Sequence, residues 1–366
     1  MKFDIDAKTF AQEIREAMAF TQNKGVQAQR SVLLTVMDDT LEVRAKSNAV
    51  APFRQMAFVS TVPVSGHEDG YAIVPARQLY DIIAQYPAGE TEFRSTEKNL
   101  IIKQGEIRFQ LRLLDIKPAD MTVDFPDEAA FSPLMEGFSE AIRKVSYAAN
   151  RGDVRDVFRS VCFDYTDDNL YVCSMDGRRL SSKMFHIHGK GQTRVPVEFA
   201  DAMARRDVDS FCEKDGLAFF RKGDRYYATS TYTSSYPAWR RIVPPKTDSE
   251  VIKVDRCALI DAVTRVALTA DDKSCMIKLE AKDDKLTLSS ISSVGSCTET
   301  IDCRCGEPMC KYVRHQFLMD VLTSSSSKEV EMHYGKSDNR AMLITDEDPD
   351  FKAVVCYITP AAGTAC

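Results

Sequence analysis

Three stretches of the chain share one rhythm. Ser31 to Ser47 runs SVLLTVMDDTLEVRAKS, Ser160 to Asp176 runs SVCFDYTDDNLYVCSMD, and Met276 to Ser292 runs MIKLEAKDDKLTLSSIS. Each alternates apolar and polar positions, breaks at an Asp-Asp pair (38–39, 167–168, 283–284), and resumes from a leucine. Alternation at period two predicts strands with one buried face. Paired aspartates suit the turn between them, because Asp tolerates left-handed backbone and bonds to nearby main chain.

A stripe at helical spacing precedes each hairpin. It comprises Phe10, Ile14, Ala17 and Met18 in the first copy, Phe138, Ile142 and Val145 in the second, and Leu259, Val263 and Val266 in the third. Arg15, Arg143, Lys144 and Arg265 fall on the opposite sides, as on surface helices. A second helix is expected after each hairpin. It opens at Val74-Pro75-Ala76-Arg77, at Val195-Pro196-Val197-Glu198, and at Tyr312-Val313-Arg314-His315 leading into Phe317, Leu318, Val321 and Leu322. Proline suits a first helical turn, where its missing N–H leaves no bond unmade. Further hairpins close the copies: Leu100 to Leu113, Leu217 to Ser230, and Met342 to Ile358. Asp-Asp turns are common, but three of them with the same flanking order mark an internal repeat. Proline-rich polar connectors lie near 115–132 and 243–250, so the expected domains are 1–126, 127–250 and 251–366. The fold class is α+β, with two helices on antiparallel sheets in each copy.

Repeats of this kind leave open strand edges, which invite pairing with another chain. A head-to-tail contact that closes on itself removes those edges. Two chains of three copies would then set their helices around a hole.

Composition narrows the function. The chain is 366 residues long, 44% hydrophobic and 28% charged, which fits a globular protein with real cores. No apolar run spans a membrane and the start lacks a signal-peptide stretch, so a cytoplasmic, non-membrane protein is expected. Eleven cysteines without framework spacing favour reduced thiols. The net charge of -6 means that any DNA contact uses locally separated basic residues or is weak by intent. There is no Gly-x-x-x-x-Gly-Lys-Ser/Thr loop, no His-Glu-x-x-His and no nucleophile elbow, which argues against ATP hydrolysis and against an enzyme. Cys297, Cys303, Cys305 and Cys310 do not have the spacing of a paired Cys-x-x-Cys zinc site, and His186 and His188 are only two ligands. No metal and no cofactor are expected.

Several segments then carry a resemblance. Met175-Asp176-Gly177-Arg178-Arg179-Leu180 is similar to a Thr-Asp-Gly-His-Arg-Leu motif, and Tyr236-Pro237-Ala238-Trp239-Arg240-Arg241-Ile242-Val243-Pro244 to Phe-Pro-x-Tyr followed by apolar residues and Pro. With the opening Met-Lys-Phe, the Val74–Ile82 segment and the closing Val354–Pro360 strand, the whole chain resembles the bacterial DNA polymerase III beta subunit, the DNA sliding clamp family. It departs from the family's pattern at Met175, Arg178 and Glu198, and beyond Pro360.

The resemblance implies a non-catalytic processivity factor for the replicative polymerase. Such a factor is a homodimeric ring around duplex DNA, bound without sequence specificity. It docks the polymerase, the clamp loader and repair proteins by linear peptide motifs. Carried over by position, the peptide groove comprises Phe158, Met175, Gly177, Arg178, Arg179, Leu180, Pro237, Arg241, Ile242, Tyr357, Ile358, Thr359 and Pro360. An apolar pocket with Arg donors at its rim suits such peptides. Asp176-Gly177 reads equally as an ordinary turn and Tyr236-Pro237 as a loop anchor. The DNA-facing candidates are Lys24, Arg77, Arg143, Lys144, Arg151, Arg155, Arg205, Arg206 and Arg265, as exchangeable phosphate contacts. Any one of them reads equally as a solvated surface charge. The dimer contact would use Lys103, Arg108, Phe109, Leu111 and Leu268, the first two facing Glu299 or Asp302. The three apolar residues could also be intradomain core. Two other readings stay open: a clamp-like peptide-binding adaptor that closes no ring, and an enzyme built on the His and Cys clusters.

Overall fold

The first strand, Lys2–Asp6, ends on the residue that starts the first helix. The Asp6 carboxylate accepts hydrogen bonds from the Lys8 and Thr9 amides at 3.0 and 2.9 Å, capping helix α1 (Ala7–Met18). Such a cap stabilises a helix by about 1 kcal/mol. In the third copy Asp255, the last residue of strand Ser249–Asp255, accepts from the Ala258 amide at 2.8 Å. The remaining helices are α2 (Ala76–Ile83), α3 (Phe138–Val145), α4 (Val197–Arg206), α5 (Arg256–Ala267) and α6 (His315–Ser324). The α3 start uses Gly137 instead, at φ 79°. The structure is a computed structural model and describes residues 1–22, 25–47, 55–335 and 340–359.

The expected repeat is present in the element order. Each copy runs strand, helix, a set of strands, helix, three strands, with four strands between the helices in the second copy and five in the first and third. The Asp-Asp pairs lie between Ser31–Met37 and Thr40–Ser47, between Ser160–Tyr165 and Leu170–Met175, and between Met276–Lys282 and Lys285–Ser292. Asp38, Asp283 and Asp284 adopt positive φ there, which short polar side chains tolerate best. The helical stripes are buried as expected, apart from Met18, which is half-buried.

Three sequence expectations are corrected. Pro75 and Pro196 close strands Gly70–Pro75 and Gly191–Pro196, immediately before α2 and α4, instead of lying in the first helical turn. Tyr312 belongs to strand Met309–Arg314, and α6 begins at His315. Lys144 does not face solvent. It is 7% exposed, because α3 lies against the following strands and its ammonium meets Asp348 Oδ2 at 3.2 Å and Asp346 Oδ2 at 3.9 Å.

By internal contacts the chain divides into two compact units: residues 1–136 with 206–231, and 137–205 with 232–366. In the first unit, Phe3 stacks on Phe93 with centroids 4.9 Å apart, and Phe10 meets Phe93 edge-on at 4.8 Å. Such aromatic pairs add about 0.5–1.5 kcal/mol each beyond area burial.

Sheet pairing explains why three copies give two units. Each half-copy builds a four-strand antiparallel set, and two pairs of sets fuse edge to edge. Met56–Pro63 pairs with Arg225–Ser230 to make an eight-stranded sheet in the first unit. Arg179–Phe185 pairs with Phe351–Cys356 within a nine-stranded sheet in the second. The remaining five- and four-stranded sheets end on Ile107–Arg112 and Gly295–Asp302, each paired on one side alone among the described residues.

Candidate partner-peptide site

The turn between Leu170–Met175 and Arg179–Phe185 organises the second unit's outer sheet face. Asp176 Oδ1 accepts from the Arg178 and Arg179 amides at 2.8 and 3.0 Å, and Oδ2 from Arg179 Nε at 3.0 Å. Gly177 sits at φ +84°, and a Cβ there would lie 3.2 Å from Phe158 Cζ. Glycine is therefore required twice, by the backbone and by the ring against it. The Arg179 guanidinium also bonds Asp320 on α6 and lies over the Phe317 ring at 4.6 Å. It is a fixed bracket, not a free rim donor.

Below the turn, Met175 and Leu180 oppose each other in register and are each 3% exposed. They form the floor of a small apolar cluster with Trp239, Leu343 and Val354, against which Phe158 and Tyr236 pack. Trp239 Nε1 donates to Asp164 Oδ2 at 2.8 Å, and its ring meets Tyr171 edge-on at 5.4 Å. The rest of that loop is outward: Pro237 and Arg241 are exposed and Ile242 is 50% exposed. After the last strand, the Tyr357 amide donates to Arg340 O at 2.9 Å and the Ile358 amide to Tyr312 O at 2.8 Å. Thr359 is exposed, and Pro360 lies outside the described residues. Burial pushes the Tyr357 hydroxyl above the ordinary phenol range, so it stays neutral.

The groove residues thus split three ways. Phe158, Met175 and Leu180 meet in one cluster; Gly177, Arg178 and Arg179 form its turn; Pro237, Arg241 and Ile242 stand on the loop above. Sequence reasoning omitted Asp164, Tyr171 and Trp239, which hold that loop down. Trp239 is the chain's single tryptophan, in a proline-bracketed segment, which was the available signal.

The basic candidates are mostly engaged. Arg77 pairs with Asp81 at 3.0 Å, Arg143 donates to Ala204 O at 2.7 Å, and Arg151 bonds Asp201. Arg155 bonds Asp153, and its hydrogen bond holds that carboxyl down at about 2. Arg206 donates to Glu16 at 2.7 Å and lies over Phe20 and Tyr227, half-buried. Arg265 donates to Glu299 at 2.8 Å, which lowers the Glu299 carboxyl. Arg205 is exposed; Lys24 lies outside the described residues. On the edge strand Ile107–Arg112 Phe109 is 43% exposed and Leu111 half-buried, and Leu268, just past the end of α5, is 77% exposed, so none of them is core.

Among the described residues no three His, Cys, Asp or Glu side chains converge as metal ligands. Among the described residues nine cysteines are free thiols, whereas Cys310 is disulfide-bonded, a departure from the expected reduced thiols. No helix among the described residues is long and apolar enough to cross a membrane.

Comparison with known proteins agrees with this architecture. Residues 1–121 match the family model for the DNA polymerase III beta subunit, N-terminal domain, and residues 240–359 that for its C-terminal domain. The beta sliding clamp of Treponema pallidum is 23% identical over 355 residues, 91% of this chain and 93% of that one. That of Pseudomonas putida is 24% identical over 305 residues, covering 79% and 82%. The crystal structure of the DNA polymerase III subunit beta from Pseudomonas aeruginosa superposes with a TM-score of 0.88 at 20% identity, over 98% of this chain and 100% of that one. Two family matches, at the start and the end of a chain built on one recurring element order, place it in the DNA polymerase III beta subunit family, the beta sliding clamps.

Proposed function

We propose that the chain is a DNA sliding clamp, a processivity factor acting in the cytoplasm with no catalytic step of its own. Two copies close head to tail around duplex DNA. The polymerase, the clamp loader and repair proteins dock by peptide segments in the groove formed by the Asp176–Leu180 turn, the Pro237–Ile242 loop and the chain after Cys356. The three copies at 1–126, 127–250 and 251–366 act as its domains.

One observation carries the reading. Two seams between strand sets are closed within the chain, and among the sheet ends left over in the described residues Ile107–Arg112 and Gly295–Asp302 are two edge strands paired on one side alone. A second copy supplies the missing partner for each. Arg108 and Arg112 on one edge meet Glu299 and Asp302 on the other with opposite charge. This is an exchange of partners, since within the single chain those carboxylates bond Arg265 and Lys285. Phe109, Leu111 and Leu268 supply apolar contact. Mass measurement tests this: we expect a stable species near twice 41.1 kDa. Longer products on circular primed DNA, lost when the DNA is linear with free ends, would confirm encirclement. A monomer at micromolar concentration, with no such stimulation, supports the adaptor reading instead. The engagement of most basic candidates in ion pairs favours that second reading.

A further inference from the structure

The second unit also carries a cleft beside the groove. The two share Trp239 and Arg240 of the Pro237–Ile242 loop and Leu343 of the cluster beneath it, but the cleft includes neither the Asp176–Leu180 turn nor the chain after Cys356. It has a volume of about 430 Å³ and lies between the Trp239–Lys246 segment and the residues before strand Phe351–Cys356. That volume lies within the roughly 300–1,000 Å³ range of ligand sites. Its apolar lining is Met184, Val243, Pro244, Pro245, Leu343 and Pro349. Tyr171, Ser182 and Met184 stand on neighbouring strands, with Tyr171 opposite Met184 and Ser182 opposite Lys352 in register.

Charge distinguishes this cleft in a chain of net charge -6. Three cations line it: Arg240, Lys246 and Lys352, all exposed. Arg240 is spent locally, since it bonds Asp164 Oδ2 at 2.8 Å and covers the Tyr171 and Trp239 rings at 4.5 and 4.8 Å. Lys246 donates to a neutral hydroxyl, Thr345 Oγ1 at 3.5 Å, and also feels the charge of Glu331, whose carboxylate bonds Lys253. The lining's one carboxylate, Asp350, lies 3.7 Å from Lys183. Lys246 and Lys352 therefore present positive charge on the two walls of an apolar floor.

We propose that this cleft docks a linear acidic peptide segment carrying one large apolar side chain, independently of the groove. The side chain sits on Met184 and the prolines, and flanking carboxylates reach the two lysines. A nucleotide fits less well. Arg240 already occupies the ring faces on which a base would stack, and Asp350 opposes a compact polyphosphate.

The probe is a fluorescein-labelled peptide with a single phenylalanine flanked by aspartates and glutamates. Its anisotropy is followed with the full chain, with Trp239 emission as a second reading of the same surface. We expect saturable binding that weakens as salt rises. Lys246→Glu with Lys352→Glu should weaken it at least about tenfold. Arg241→Ala, on the groove loop, should leave it unchanged, so failure of the groove reading and failure of this one are told apart. The analogue with amides in place of carboxylates should bind at least about tenfold more weakly. Both lysines are exposed, and an unchanged thermal midpoint verifies that the double variant is folded. The proposal is overturned by absent binding, by equal affinity for the amide analogue, by loss on Arg241→Ala alone, or by displacement of the peptide by ATP at comparable concentration.

Discussion

Gly177 shows how one position can couple backbone and pocket. Its φ of +84° strains any side chain, and an added Cβ would lie 3.2 Å from the Phe158 ring, which must give by a few tenths of an ångström. We expect Gly177→Ala to cost about 1–3 kcal/mol, read as a lowered urea midpoint, and to weaken clamp-binding peptides. A variant as stable as the parent would show that the turn relaxes freely. Trp239→Phe tests the loop's anchor. It removes the indole donor from Asp164, whose side chain is 10% exposed, and leaves the ion pair with Arg240. Stability should fall by about 1–3 kcal/mol. Lys183 and Lys144 give a pH signature. Burial acts to raise the Asp348 carboxyl, but hydrogen bonds from Lys183 and Lys144 outweigh it and hold the group below its ordinary value. A carboxylate depressed in the folded state contributes stability that is present above its unfolded pKa, about 3.9, and lost as pH falls through the folded value. Lys183→Met should therefore be destabilised by roughly 1 kcal/mol near neutrality. That gap should close as pH drops below about 4. Urea titrations at a series of pH values measure it, and a gap independent of pH would refute the assignment.

At the scale of elements, the edge strands make the sharpest claim. Phe109 on Ile107–Arg112 is 43% exposed, with its ring tilted against Tyr86 at a centroid distance of 5.9 Å. Phe109→Asp should leave the monomer folded and shift the mass from dimer to monomer, as light scattering after gel filtration would record. Much of this layer was legible in the sequence. Thr40–Ser47 and the two strands beside the third Asp pair alternate cleanly, whereas Ser31–Met37, Ser160–Tyr165 and Leu170–Met175 are buried on both faces, against the expected single buried face. The helical stripes stand out because their charges fall opposite. Other parts were not legible. Gly70–Pro75 and Gly191–Pro196 hide against the helices that follow, since a proline there reads as a helix start. Lys144 reads as solvated beside Arg143, and only the packing of α3 against Asp346 and Asp348 makes it buried. In the groove, the Asp176–Leu180 and Pro237–Ile242 segments were visible as motifs. The role of Asp164 was not, because the contact that gives it meaning spans 75 residues of chain.

For the whole molecule, charge sets how DNA is held. With a net charge of -6 and most basic candidates already paired, direct affinity for DNA should be weak and steeply salt-dependent. A clamp loaded on nicked circular DNA should instead survive a high-salt wash and be released when the circle is cut. Release before cutting would mean that electrostatic contact, and not enclosure, retains it. The two open edges have a further consequence. One carries Arg108 and Arg112, the other Glu299 and Asp302. Copies meeting like edge to like edge would set arginine beside arginine and carboxylate beside carboxylate, so assembly has a built-in sense of direction. In the proposed ring both protomers would then turn the same side along the DNA, and the two docking grooves would be presented identically.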